Sequence, residues 1–417
     1  MTKRNAFYAQ SGGVTAVINA SACGVIETAR LYPDKIGKVY AGRNGILGAL
    51  NEDLIDTSKE SLADIAALRF TPSGAFGSCR HKLTGMLDGT GEFQRLIEVF
   101  KAHDIGYFFY NGGGDSADTC FKVSQLSATV GYPIQAIHVP KTIDNDLPIT
   151  DCCPGFGSVA KYIAISTMEA SFDVKSMSKA STQIFVIEVM GRHAGWIAAA
   201  AGLLADHNIP VVILFPEIKF DQEQFLAKVD ANVKAFGYCT VVVSEGCRYP
   251  NGKFMAEQGT RDAFGHAHLG GAAPVVANII RDALGYRFHW AVANYLQRAA
   301  RHIASGTDAL QAYELGQAAV RLAIEGHNSV MPTIERISDE PYQYRIGMAD
   351  LKDVANVEKY MPMDFISEDG FGITEKCKRY LTPLIQGEDY PQYNGGLPKY
   401  VILKNEGVPK KLGAYKA

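Results

Sequence analysis

The stretch Ile105–Val130, IGYFFYNGGGDSADTCFKVSQLSATV, decides the fold. It opens as a continuous apolar and aromatic run, the pattern of a strand buried on both faces. Three glycines, Gly112 to Gly114, end the run, and SADTCFKVSQLSATV after them has helical character. Strand, glycine loop and helix in that order belong to a parallel sheet covered by helices. Glycines at such a turn let a ligand approach the backbone closely. Asp115 follows directly. It either caps the helix, where aspartate is favoured, or faces whatever the loop admits.

The same order recurs along the chain. NAFYAQ is a strand followed by SGG and the helical TAVINASACGVIETARLY. IQAIHVP ends in KTIDNDLP, and STQIFVIEVM ends in GRHAG before an alanine-rich helix. PVVILFPE and CTVVVSEG are further strands, so two parallel sheets with helices on both faces are expected. Residues 270–306 and 307–326 both read as helical, with Thr307 a plausible N-cap for the second. SVMPTIERIS and YQYRIGMADL then look like two strands. From about Thr382 the Pro-, Gly- and Tyr-rich tail reads as an irregular surface wrap. No short-period repeat or low-complexity segment interrupts the 417 residues.

Composition narrows the function classes. At 47% apolar and 20% charged residues the chain is globular, with two or three domains or two interleaved ones. A net charge of −3 gives no electrostatic case for nucleic acid or an acidic membrane surface, so an anionic ligand must be held by local basic groups. The 8 cysteines lack metal-type spacing, and with no secretory signal they suggest reduced thiols in the cytoplasm. The longest apolar run, WIAAAAGLLA, is too short for a bilayer and reads as a buried helix.

The candidate functional residues collect just after strands, where open parallel sheets bind ligands. Gly12 and Gly13 form either a tight turn or a phosphate-binding loop at a helix start. In PKTIDNDLP, Lys141 and Thr142 precede Asp144 and Asp146. A carboxylate near a lysine stays ionised and can accept a proton from an alcohol, although such strings are often plain turns. Arg192 in MGRHAG can present a fixed guanidinium to a phosphate or serve in a surface salt bridge, and Arg80 in SGAFGSCR is a second candidate anion clamp. Glu245 ends the VVVSEG strand and could equally cap a helix. His193 and His266 have no partners at zinc spacing.

Taken together, SGG, a GGxxS-type loop, TIDND, MGR and a strand-end glutamate, in this order, resemble the phosphofructokinase family from about residue 5 to about residue 350. The resemblance implies two doubly wound, Rossmann-like α/β domains with interleaved chain segments. A phosphoryl-donor domain would comprise 1–140 with about 268–350, and a sugar-phosphate domain 141–267 with about 351–417. Asp144 would be the general base toward the 1-hydroxyl of fructose 6-phosphate, with Thr142 beside it. Met190, Gly191, Arg192 and Glu245 would bind the sugar phosphate. Gly12 would meet the donor, and Arg80 would bridge donor and product phosphates. Mg²⁺ is the implied cofactor, and a cytoplasmic homodimer or homotetramer with little allostery the implied assembly.

Two departures from the family's ATP-using pattern concern the donor. This chain reads GGGDS and PKTIDND where ATP-using members read GGDGS and PGTIDND. Asp115 and Lys141 thus replace glycines, as in the pyrophosphate-dependent branch. A carboxylate where ATP carries its α-phosphate would fill that space and repel its charge, and Lys141 would stabilise charge on the transferred group. Gly114 takes the place of an aspartate that helps hold Mg²⁺, leaving phosphate oxygens, waters and backbone to do so. Gln183 and Leu269 replace arginines that reach the sugar phosphate from a neighbouring subunit, while His266 fits a family histidine. Tyr295 and Arg298 form a Tyr-x-x-Arg pair that pyrophosphate users carry. The implied reaction is reversible phosphoryl transfer from pyrophosphate to fructose 6-phosphate, serving glycolysis or gluconeogenesis, with sedoheptulose 7-phosphate a similar acceptor. An ATP-dependent phosphofructokinase and a non-catalytic paralogue are the alternatives. A nicotinamide dehydrogenase is disfavoured because no GxGxxG is present.

Overall fold

The computed structural model describes residues 3–84, 91–261 and 267–415. His266 lies outside the described residues. In chain order the strands are β1 (Arg4–Ser11), β2 (Ile36–Gly42), β3 (Leu54–Asp56), β4 (Ser78–Cys79), β5 (Ile105–Gly112), β6 (Gln135–Pro140), β7 (Ile184–Val189), β8 (Val211–Leu214), β9 (Cys239–Ser244), β10 (Glu257–Arg261), β11 (Ala267–Leu269), β12 (Phe288–Val292), β13 (Val330–Asp339) and β14 (Tyr342–Asp350). They fall into two compact units. The first comprises 1–155, 306–358 and 388–417, the second 156–305 and 359–387.

The first unit holds an eight-stranded sheet in the order β14-β13-β6-β5-β1-β2-β3, with β4 alongside β1. Its centre is parallel, and both edges are antiparallel. Strand alternation splits the aromatic run of β5 between two cores. Phe108 and Tyr110 pack on one face with Phe7 and with Leu96 and Phe100 of the helix Glu92–Ala102. Tyr107 and Phe109 pack on the other with Tyr8, Val25 of the helix Ile18–Arg30 and Val320 of the helix Gly306–Ile324. Every residue of β5 is buried, as a strand covered on both faces requires. Each such aromatic contributes on the order of 2 kcal/mol by leaving water.

The second unit holds a four-stranded parallel sheet in the order β12-β7-β9-β8. Val186, Val241 and Val243 meet the helices Gln222–Phe236 and Ala272–Leu284 on one face. The neighbouring Thr240 points the other way, where its hydroxyl pairs with Ser171 of the long helix Phe156–Met177 at 2.8 Å. The mixed α/β, doubly wound architecture expected from the sequence is therefore present in both units.

Several boundaries differ from expectation. The first unit runs to Gly155 rather than to about 140: Lys141 N–H donates to Gly112 O of β5, which keeps the TIDND turn on the first sheet, and Thr142 pairs with Gly155. Residues 268–305 belong to the second unit, since β12 pairs in parallel with β7. The tail 388–417 returns to the first unit, where Asp56 donates to Glu406 O and Val408 to Leu54 O along the edge strand β3. The helical reading of 270–306 is interrupted by β12. Thr307 does not cap its helix, which starts at Gly306. The alanine-rich run forms one short turn, Trp196–Ala199, followed by 3₁₀ turns to His207. No helix among the described residues is long and apolar enough to cross a membrane.

Candidate active site

In the first unit, β1, β4, β5 and β6 are parallel and end together, so their following loops share one edge of the sheet. Lys141 ties these loops to one another. Its main-chain N–H donates to Gly112 O at 3.0 Å. Its Nζ donates to Ser11 O at 2.8 Å and Gly13 O at 2.6 Å, and the residue is only 4% exposed. A second link is Ser116 Oγ, which donates to Ser11 Oγ at 2.7 Å. A buried ammonium thus stands against the first glycine loop while its backbone is fixed to the second.

Gly12 has φ +74°, a left-handed value that favours glycine, and a Cβ there would stand 3.5 Å from Lys141 Nζ. Its N–H donates to Cys79 O at 2.9 Å, and its carbonyl accepts from Ser78 Oγ at 2.8 Å. The helix starts only at Ile18, so Gly12 offers neither a free amide nor a helix terminus. What it offers is room. Arg80 is exposed directly after β4, and the register Ser11↔Cys79 sets it abreast of Gly12.

Asp115 does not cap the helix Gly114–Thr129. Gly113 occupies the cap position, and no side chain caps that end. Asp115 is the second helical residue, exposed, and its carboxylate has no hydrogen bond or ion pair among the described residues. The positive end of the helix dipole favours an anion there. A Cβ at Gly114 would meet nothing within 4 Å, so the loop is open at this position.

The TIDND turn is held by its own polar groups. Asp144 N–H donates to Thr142 Oγ1 at 3.1 Å, and Thr142 N–H to Pro154 O at 3.2 Å. Asn145, with φ 54°, accepts Cys153 N–H on Oδ1 at 3.0 Å. Asp144 is half-buried. Just upstream in β6, burial pushes the His138 imidazole down to about 3, and the nearby Lys141 charge adds to the shift.

In the second unit the MGR and SEG segments lie side by side after β7 and β9. Glu245 N–H donates to Val189 O at 2.9 Å, Gly246 N–H to Gly191 O at 3.2 Å, and Ser244 Oγ also donates to Gly191 O. Gly191 has φ +132°, and a Cβ would come within 2.9 Å of Ser244 Oγ and 2.8 Å of Ala194 O. The helix Asn294–Ala299 follows β12, the neighbour of β7, and its buried Gln297 accepts Met190 N–H on Oε1 at 3.2 Å. On the same helix the Arg298 guanidinium lies 3.8 Å from the centre of the Tyr295 ring, which is 62% exposed. Met190, Gly191, Arg192, Glu245, Tyr295 and Arg298 are therefore gathered at one end of one sheet. Gln183 is at the opposite end of β7, where its Oε1 accepts Arg287 N–H at 3.2 Å. Sequence reading missed Gln297, Ser244 and Glu188. The Glu188 carboxylate accepts the N–H groups of Gly271 and Ala273 and caps the helix Ala272–Leu284. A carboxylate within an apolar strand was the available signal for Glu188.

Two doubly wound α/β units, with glycine loops and an acid–lysine turn in one and clustered basic and acidic groups in the other, are a frame for phosphoryl transfer. The phosphofructokinase family model matches residues 5–323. A pyrophosphate--fructose 6-phosphate 1-phosphotransferase of Methylococcus capsulatus is 70% identical over 99% of both chains. One of Halomonas elongata is 64% identical over 100% of both. The crystal structure of a pyrophosphate-dependent phosphofructokinase from Nitrosospira multiformis is 68% identical and superposes with a TM-score of 0.93 over 100% of both chains. The chain belongs to the phosphofructokinase family.

Proposed function

We propose that this chain transfers a phosphoryl group reversibly from pyrophosphate to the 1-hydroxyl of fructose 6-phosphate, giving fructose 1,6-bisphosphate and phosphate. The observation that carries the donor assignment is the pair of residues at the glycine loops. Buried Lys141 has its ammonium against Ser11 and Gly13, and unpartnered Asp115 stands just past Gly114. Relatives named for this reaction, matching along the whole chain, support the same reading.

Residues of the first unit serve the donor and the proton. Asp144 takes the proton of the 1-hydroxyl as its oxygen bonds to phosphorus and the bond to the leaving phosphate breaks. Thr142 fixes the turn that carries this carboxylate. Lys141 and Arg80 neutralise charge spreading over the transferred group, which is most of what phosphoryl transfer needs from a protein. Asp115 excludes a donor with a third phosphate. Residues of the second unit hold the acceptor. Arg192 and Glu245 bind the sugar phosphate with Met190 and Gly191, and Arg298, 3.8 Å from the centre of the Tyr295 ring, presents its guanidinium to it.

Magnesium belongs to the reading only as a partner of the diphosphate. No group of three His, Cys, Asp or Glu side chains among the described residues could hold a metal ion, and Gly114 supplies no ligand side chain. The described residues thus offer no three-ligand cluster for a resident metal ion, and no step is routed through one. The reading carries a cytoplasmic homodimer or homotetramer with it.

Asp144→Ala tests the base. Turnover should fall by about 10²–10⁴ with the fructose 6-phosphate KM little changed, and near-normal turnover would refute the role.

A further inference from the structure

Between the 3₁₀ turn Leu68–Phe70 and β4, residues 71–77 have no regular secondary structure, yet they lead into Cys79 and Arg80. Two fully buried amide side chains shape this segment. Asn19 Nδ2 donates to Thr71 O at 2.9 Å and Pro72 O at 3.3 Å, and Asn19 Oδ1 accepts Ala75 N–H at 2.9 Å. Gln10 Oε1 accepts Phe76 N–H at 3.4 Å, and Gln10 Nε2 donates to Asn19 Oδ1 at 3.1 Å. The pair is braced in turn by Tyr8, whose hydroxyl accepts Asn111 Nδ2 at 2.8 Å and Gln10 Nε2 at 3.4 Å.

A buried amide is unfavourable unless both its ends are satisfied, and here both ends of each residue are used. Gln10 and Asn19 belong to β1 and the helix after it, rigid elements that flank the Gly12 loop. They hold by side chain a stretch that no sheet or helix would hold.

We propose that Gln10 and Asn19 are positioning residues for the phosphoryl donor. By fixing residues 71–76 they set where β4 delivers Arg80 and how Cys79 O receives Gly12 N–H. They shape the diphosphate side of the site without touching substrate. The inference rests on the donor role of Arg80 given under Proposed function.

The test is steady-state kinetics of Asn19→Ala beside Arg80→Ala, with pyrophosphate and fructose 6-phosphate varied separately and the melting temperature recorded. Both variants should raise the pyrophosphate KM by about tenfold or more while the fructose 6-phosphate KM stays within about twofold, since small misplacements of binding groups are costly. A merely structural amide would lower the melting temperature and leave the pyrophosphate KM unchanged or move both KM values together. That result, with Arg80→Ala still impaired toward pyrophosphate, overturns the inference and leaves the donor assignment standing. An unimpaired Arg80→Ala overturns the donor role of Arg80 and the inference with it. Should Asn19→Ala fail to fold, Gln10→Met, which conserves volume and removes the bond to Phe76, decides by the same readout.

Discussion

Lys141 Nζ lies 2.6 Å from the carbonyl oxygen of Gly13, so the lysine just after the sixth strand completes the loop that follows the first strand. Replacing Lys141 by methionine keeps the apolar stem and removes the charge. Turnover with pyrophosphate should fall by about 10²–10³, the usual loss for one preorganised donor at developing charge. Two carbonyls lose a partner as well, so denaturant titration should show a loss of about 1–3 kcal/mol.

Asp115→Gly should cost little stability, at most about 1 kcal/mol for a glycine in a first helical turn. Its carboxylate has no partner among the described residues to lose. Rates with ATP should become measurable while the pyrophosphate reaction persists. A variant that gains no ATP activity would mean that donor exclusion lies elsewhere.

Arg298→Ala should raise the fructose 6-phosphate KM by about tenfold or more, and Arg298→Lys should not restore it. The guanidinium lies 3.8 Å from the centre of the Tyr295 ring, and lysine lacks its planar fork. The pyrophosphate KM is the internal control and should stay near its original value.

Stability should fall as the pH drops below about 6.5. His138, pushed down to about 3 by burial, stays neutral in the fold while the unfolded chain takes up a proton. Its contribution is complete above the ordinary value of 6.5 and is lost progressively toward 3, by up to about 1.4 kcal/mol per pH unit. His138→Leu should flatten the dependence of urea midpoints between pH 6.5 and 4.5, a window within that range. An unchanged slope would contradict the assignment.

Much of the fold was legible because its central strands are buried on both faces. Tyr107 to Tyr110 can be read as a strand without knowing a single neighbour. β12 was not legible, since FHWAV is five residues between two good helical windows and its centre is exposed at a sheet edge. The return of the tail to β3 depends on backbone pairing at long range, such as Val408 N–H with Leu54 O, which leaves no local signature. Among the site residues, Asp144 and Arg192 stood out because polar groups follow apolar strands. Gln10 lies inside β1 and Asn19 inside the helix after it, and their partners at 71–76 are main-chain atoms with no pattern to read. The occupied amide of Gly12 could be seen only once β4 was placed.

The central claim is the choice of donor. Initial rates with Mg²⁺ and fructose 6-phosphate, measured with pyrophosphate and with ATP at equal concentration, test it most directly. Turnover with pyrophosphate and little or none with ATP is predicted; a clear preference for ATP would contradict the account.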